Sequence, residues 1–330
     1  MGGETGQLNL FGAGAAQGAR PDVELSARLA REHTEAAAIA ARLPKGVFFG
    51  TSTWSFPGWA GIVYSRRATT AELAREGLAE YARHPLLTTV GIDRGYYGPI
   101  PVKDLERYAG QLPPGFPCCA KAPEAVTAPL RTGERRANPD YLQPQRFVDE
   151  MVGPFLKSFR EHAGPFVIQF PPSFSTVTPP LFAEKLDRFL EALPRDARYA
   201  VELRDAALLT PAYRDVLAAR GAAHVYNYAT AMPMPAEQAA RVPVETAPFA
   251  MIRLLLRPGT RYEERREEFL PFDRIVDLSP EMRSEVVRLV RAALRAGRET
   301  YVLVNNKAEG CSPLTIRALA ELLAEQPTRF

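Results

Sequence analysis

The sequence predicts an α/β fold: a TIM-type (β/α)8 barrel with an extra N-terminal helix and a flexible N-terminal tail. Two observations predict it. From residue 47 onward, eight short apolar runs rich in β-branched and aromatic residues alternate with amphipathic stretches. Strands that alternate with helices build parallel sheets. The runs are also near-continuously apolar, as strands covered on both faces are. A doubly wound open sheet usually shows a Gly-rich fingerprint after its first strand, and none follows the first run here. Eight units close most simply into a barrel.

The elements follow in order. Residues 1–22 are poor in bulky apolar side chains and predict a mobile tail. Residues 23–43 place Leu25, Leu29, Ile39 and Leu43 on a helical period, with Pro44 just beyond. Strands are expected at 47–51, 88–92, 117–121, 166–170, 199–203, 223–227, 249–254 and 300–305. Helices are expected near 71–83, 102–110, 145–162, 179–192, 211–220, 280–296 and 313–324. Three connections are long, at 122–144, 228–248 and 256–279. Connections that follow strands lie on the C-terminal face, where barrel enzymes carry their chemistry. The charge run at 261–268 reads as a solvated helix. Residues 23–330 are expected to form a single barrel domain, since 330 residues lies within the usual size of this fold.

The net charge of +3 is too small to imply a nucleic-acid partner by itself. Cys118 and Cys119 are strand neighbours and point to opposite faces, so they do not bridge. No cysteine pair has metal spacing, so all three cysteines read as reduced thiols of a cytoplasmic protein. No signal peptide is expected, and no apolar stretch approaches the length of a membrane span.

Residues at the C-terminal ends of barrel strands share one mouth. Thr51, Ser52 and Trp54 stand there after the first strand, and Asp93, Tyr96 and Tyr97 after the second. Lys121 ends the third, Gln169 the fourth, Glu202 and Arg204 the fifth, and Asn227 the sixth. Arg253 lies on the seventh, and Asn305 and Asn306 end the eighth. A ring of polar groups is costly to bury without use. Asp93, Lys121 and Glu202 are the candidate catalytic groups. Asp93 and Glu202 suit acid–base work or a divalent metal ion. Lys121, Arg204 and Arg253 suit an anion. Thr51, Ser52, Trp54, Tyr97, Gln169, Asn305 and Asn306 join the two arginines as candidate substrate contacts. No organic cofactor is expected. His224 reads as core, while His33, His84 and His162 read as solvated helix residues, so a His-rich metal site is not expected.

Several segments carry a resemblance: GTSTWSFPGWAGIVY (50–64), AKAPEAVT (120–127), VIQFPPSF (167–174), AVELRD (200–205) and VNNKAEGCSPLTIRALAELL (304–323). Together they resemble the YecE-like family, also called domain of unknown function 72, from about residue 47 to the C-terminus. The resemblance implies a TIM-type barrel and no established activity. Lys121, Gln169, Glu202, Arg204, Arg253, Asn305 and Asn306 match its pattern. Val90-Gly91-Ile92-Asp93 stands where the family has Val-Glu-Ile-Asn. Ala128, Asp205 and Leu255 stand at family histidines, and Ala206-Ala207 at a Ser-Trp pair.

Gln7, Leu8, Leu10 and Phe11 resemble the bacterial sliding-clamp-binding motif, Gln-Leu-x-Leu-Phe. In that mode a glutamine amide meets a pocket rim and the apolar side chains fill the pocket. Three functional readings follow. The first is a DNA-repair-associated enzyme of phosphoester chemistry, a hydrolase or lyase, docked on the clamp, with Lys121, Arg204, Arg253 and the 131–136 loop meeting phosphates. The second is a metabolic barrel enzyme acting on a small phosphorylated or carboxylated compound. The third is a non-catalytic clamp or nucleic-acid adaptor.

Overall fold

The computed structural model describes residues 22–131, 136–172 and 177–325. Eight parallel strands close into one barrel in sequence order. They are β1 (Val47–Thr51), β2 (Thr89–Ile92), β3 (Cys118–Lys121), β4 (Ala163–Gln169), β5 (Tyr199–Glu202), β6 (Ala223–Tyr228), β7 (Phe249–Leu254) and β8 (Glu299–Val304). β8 pairs back onto β1, with Val47 opposite Thr300 and Thr51 opposite Val304. Each lies within a few residues of its expected place. β4 starts earlier than expected because its Gly-Pro start, which reads as a turn, pairs with β3 through an irregular register. An added Cβ at Gly164 would stand 2.8 Å from the Cys118 carbonyl oxygen, so only glycine permits that approach.

Two apolar layers result from the strand alternation. Phe49, Val90, Ile168, Val201, Ile252 and Val302 face outward, into the main core shared with the helices. Cys119, Val167, Ala200, Val225, Met251 and Leu303 face inward and form a separate buried cluster that fills the barrel. Residues two positions further along β3, β4, β5, β6 and β7 therefore continue the inward face at the C-terminal end. These are Lys121, Gln169, Glu202, Asn227 and Arg253. Thr51 lies on the opposite face, bonded to Tyr81 and Thr53.

The helices depart from expectation chiefly at three places. Residues 71–83 break at Gly77 into Thr70–Glu76 and Leu78–Tyr81, since glycine is a poor helix former. The 144–158 stretch widens into a π-turn at Val148–Val152, where the Gly153 amide reaches back to Val148, and Pro154 beside it has no amide to donate. Residues 228–248, expected as a loop, hold a helix at Pro235–Arg241. The charged run forms the helix Tyr262–Phe269. The N-terminal helix Val23–Ala40 is capped by Asp22 and tied to the last helix, Ser312–Ala324, by Arg317 bridging Glu32 and Glu35.

His84 and His162 are buried, not solvated. His84 packs edge-on against His33 at 5.3 Å, and His162 bonds the Phe116 carbonyl at 3.1 Å. Burial, with His33 and Arg317 adding to it, pushes His84 down to about 3, so it stays neutral. Cys118, Cys119 and Cys311 are free and buried. Among the described residues, no helix is long and apolar enough to cross a membrane.

Candidate functional site

The inward ring at the C-terminal end of the barrel holds a charged cluster. Arg253 leaves β7 and is 2% exposed. Its Nη1 donates to Glu202 Oε2 of β5 at 2.5 Å, and its Nη2 lies 3.5 Å from Asp93 Oδ1 beyond β2. One guanidinium thus reaches across the barrel between two carboxylates. Arg204, two residues past Glu202, donates Nε to Glu202 Oε1 at 2.7 Å and Nη2 to Gln169 Oε1 at 3.2 Å. Glu202 is fully buried with both oxygens taken. Burial alone would raise its carboxyl. Arg204 and Arg253, with Lys121 beside them, instead hold it down to about 2.

Lys121 completes the cluster from β3. Its Nζ sits over the Tyr96 ring, 3.6 Å from the centroid. Burial pushes the amine down to about 8, with Asp93 and Glu202 opposing and Arg253 and Arg204 assisting. The Tyr96 phenol is raised by burial and by Glu124, whose carboxylate accepts its hydroxyl. Two buried polar atoms have no partner here, Arg253 Nε and Ser52 Oγ. Ser52 follows β1 in phase with inward Phe48 and Gly50.

This geometry changes the uses expected of Asp93 and Glu202. A divalent metal does not fit their donor set, because guanidinium groups already occupy both Glu202 oxygens and stand beside Asp93. Among the described residues, no three His, Cys, Asp or Glu side chains converge as ligands. Glu202 is also unsuited to exchange a proton with substrate, since it is enclosed and doubly bonded; it positions Arg204 and Arg253.

Three expected substrate contacts prove structural. Trp54 is 5% exposed, donates its indole N–H to the Leu73 carbonyl and packs edge-on against Tyr108. Asn306 is buried, and its Oδ1 accepts from Ser312 N, Ser312 Oγ and Trp59 Nε1, fastening the start of the last helix. Thr51 faces the helices, as described above. Asn305, in phase with Leu303, is part-buried and accepts from the Lys307 amide. Tyr97 stands on the rim in water. Gln7, Leu8, Leu10, Phe11 and residues 132–135 lie outside the described residues.

One residue behind the mouth escapes sequence reasoning. Gln238, on the unexpected helix, is fully buried and links Asn227 to His224. His224 bonds Tyr213 through its other nitrogen, and Asn227 donates to the Leu203 carbonyl. Burial pushes His224 down to about 4, against the bond from Gln238, so the chain of bonds is neutral and serves to fix β6 against its neighbours. Three prolines at 233, 235 and 243 hide this helix as a loop, although Pro235 sits at its first position, where proline is favoured.

The family model described as "Protein of unknown function DUF72" matches residues 48–330. The chain belongs to the DUF72 family. No curated protein matches it. The DUF72 family protein of Thermotoga maritima MSB8 superposes with a TM-score of 0.63 at 22% identity, covering 85% of this chain and 99% of that one. The DUF72 protein of Enterococcus faecalis V583 gives 0.59 at 17% identity, covering 85% and 96%. At these identities the likeness is one of fold. In this DUF72 chain no side chain fits at position 91: an added Cβ would stand 2.7 Å from the Ser52 carbonyl oxygen. Asp93, two residues on and in phase with it, carries the carboxylate to Arg253 instead.

Proposed function

We propose that the barrel mouth binds a small anionic compound, phosphorylated or carboxylated, and that Lys121 is the group that meets it. The observation that carries this reading is the setting of the Lys121 ammonium, part-buried on the face of Tyr96 in a mouth where three cations face two carboxylates. Guanidinium groups already engage both carboxylates, so a bound anion supplies the charge that Lys121 lacks. Arg204 is part-exposed and can share the anion. Arg253 is too deeply buried to reach the phosphates of a nucleic-acid strand, which favours a small compound over a polymer.

Calorimetric titration with inorganic phosphate and with malonate tests this reading. Saturable binding of at least one of them is expected, weakened about tenfold or more in Lys121→Met, the usual worth of a charged hydrogen bond. Binding of neither, or unchanged affinity in the variant, overturns it.

A second reading rests on Gln7, Leu8, Leu10 and Phe11. A Gln-Leu-x-Leu-Phe peptide fits an apolar pocket with a polar rim. Docking on a bacterial sliding clamp in the cytoplasm would bring the barrel to DNA as a repair-associated factor. Micromolar binding of the purified chain to a clamp, lost in Gln7→Ala/Phe11→Ala, is the expected result; no binding removes this reading and leaves the mouth reading intact.

A further inference from the structure

A cavity of about 520 Å³ opens beside the mouth, between the loops that follow β2 and β3. Its volume lies in the range of small-molecule sites. Tyr96 is the wall it shares with the charged cluster: the ring carries Lys121 Nζ at 3.6 Å, and Tyr96 also lines the cavity. Tyr97 stands edge-on to Tyr96 at 5.3 Å, lines the same cavity and is 87% exposed. An aromatic ring held in water on a cavity rim offers an open face for stacking.

The cavity differs from the mouth in charge. Glu124, Asp140 and Glu150 line it against Arg131 and Arg146. Asp140 and Glu150 flank Arg146 and share its charge. Carboxylates have about four acceptor positions each, more than these bonds fill. The cavity therefore offers acceptors and a stacking face, while the adjoining mouth offers cations.

We propose that the cavity is the second half of the binding site and takes a planar, amino-bearing ring joined to the anionic group held at Lys121, which makes a nucleoside phosphate the ligand class. This inference rests on the anion reading of the mouth. Tyr97 stacks on the ring, the carboxylates of the cavity accept from its amino group, and Tyr96 separates ring from phosphate. The steps from Lys121 to Tyr96 and from Tyr96 to Tyr97 are each a single packing contact, so one phosphate–sugar–base unit spans them.

The test is calorimetry on the full chain with adenosine monophosphate, ribose 5-phosphate and adenosine. Adenosine monophosphate is expected to bind about tenfold or more tightly than ribose 5-phosphate, the usual gain from stacking one base. Tyr97→Ala, at an exposed position that leaves the fold intact, removes that advantage and leaves ribose 5-phosphate unchanged; Tyr97→Trp restores it. Equal affinity for the two phosphates, or equal weakening of both by Tyr97→Ala, overturns the inference. Adenosine binding as tightly as its monophosphate, with the same dependence on Tyr97, would uphold the ring site and overturn the anion reading of the mouth. Binding of none of the three overturns both.

Discussion

Glu202→Gln is expected to cost the fold about 3–5 kcal/mol, the usual penalty for leaving a buried charge without its partner. The loss should appear as a lower urea midpoint at unchanged slope. Glu202 is fully buried and its two oxygens hold two guanidinium groups. The neutral amide leaves Arg253 buried, with Asp93 at 3.5 Å as its remaining counter-charge and Nε already without a partner. The pH dependence has a definite sign. The folded carboxyl, at about 2, lies below its unfolded value. Its contribution is therefore complete above the unfolded carboxyl range and is lost as pH falls toward 2. Glu202→Gln should flatten that acid limb. Glu202→Gln/Arg253→Met should lose less than the sum of the two single losses, because the second change removes the stranded charge. A loss of less than about 1 kcal/mol in Glu202→Gln, the size of an exposed pair, would contradict the cluster as described.

Lys121→Met should do the opposite and stabilise the protein at neutral pH. The amine falls from an ordinary 10.5 to about 8 because burial penalises its charge. Below 8 both states carry the proton, and the folded state bears the full burial cost. Between 8 and 10.5 the unfolded chain binds more protons, so stability rises with pH. The shift corresponds to a cost of about 3 kcal/mol at most at pH 7, offset by about 1 kcal/mol from the stacking on Tyr96. Methionine should therefore gain about 1–3 kcal/mol at pH 7 and remove the rise above pH 8, measured by urea unfolding across that range. Stability gained where anion binding is lost is the pattern of a residue kept for function. A loss of stability would instead make Lys121 a structural partner of Glu202.

The barrel was legible because strand and helix periods differ, and each apolar run bounded by polar residues became a strand. Much of the mouth was legible too, since Lys121, Glu202 and Arg253 each follow an inward core residue by two positions. Thr51 and Asn306 stand one residue out of phase with Ser52 and Asn305, and a strict alternation rule would have set them apart. Trp54 is different. It lies past the strand end, where alternation no longer applies, and only the tertiary bond to Leu73 shows its ring turned into the core. The cavity beside Tyr97 was not legible, because its walls come from residues 96–150 that no single period links. The partners of the carboxylates were not legible: the fold brings Arg204 and Arg253 onto Glu202, and Arg253 beside Asp93.

We propose that the positive charge of Lys121 is what holds a small anion at the barrel mouth. Sulfate keeps one charge state across the neutral and alkaline range, so its affinity reports the protein alone. Calorimetric titration with sulfate at a series of pH values should show binding that is strongest below pH 8 and weakens as Lys121 loses its proton near 8, with no such inflexion in Lys121→Met. Affinity that is level through pH 8, or equal in the two proteins, would contradict this role of Lys121.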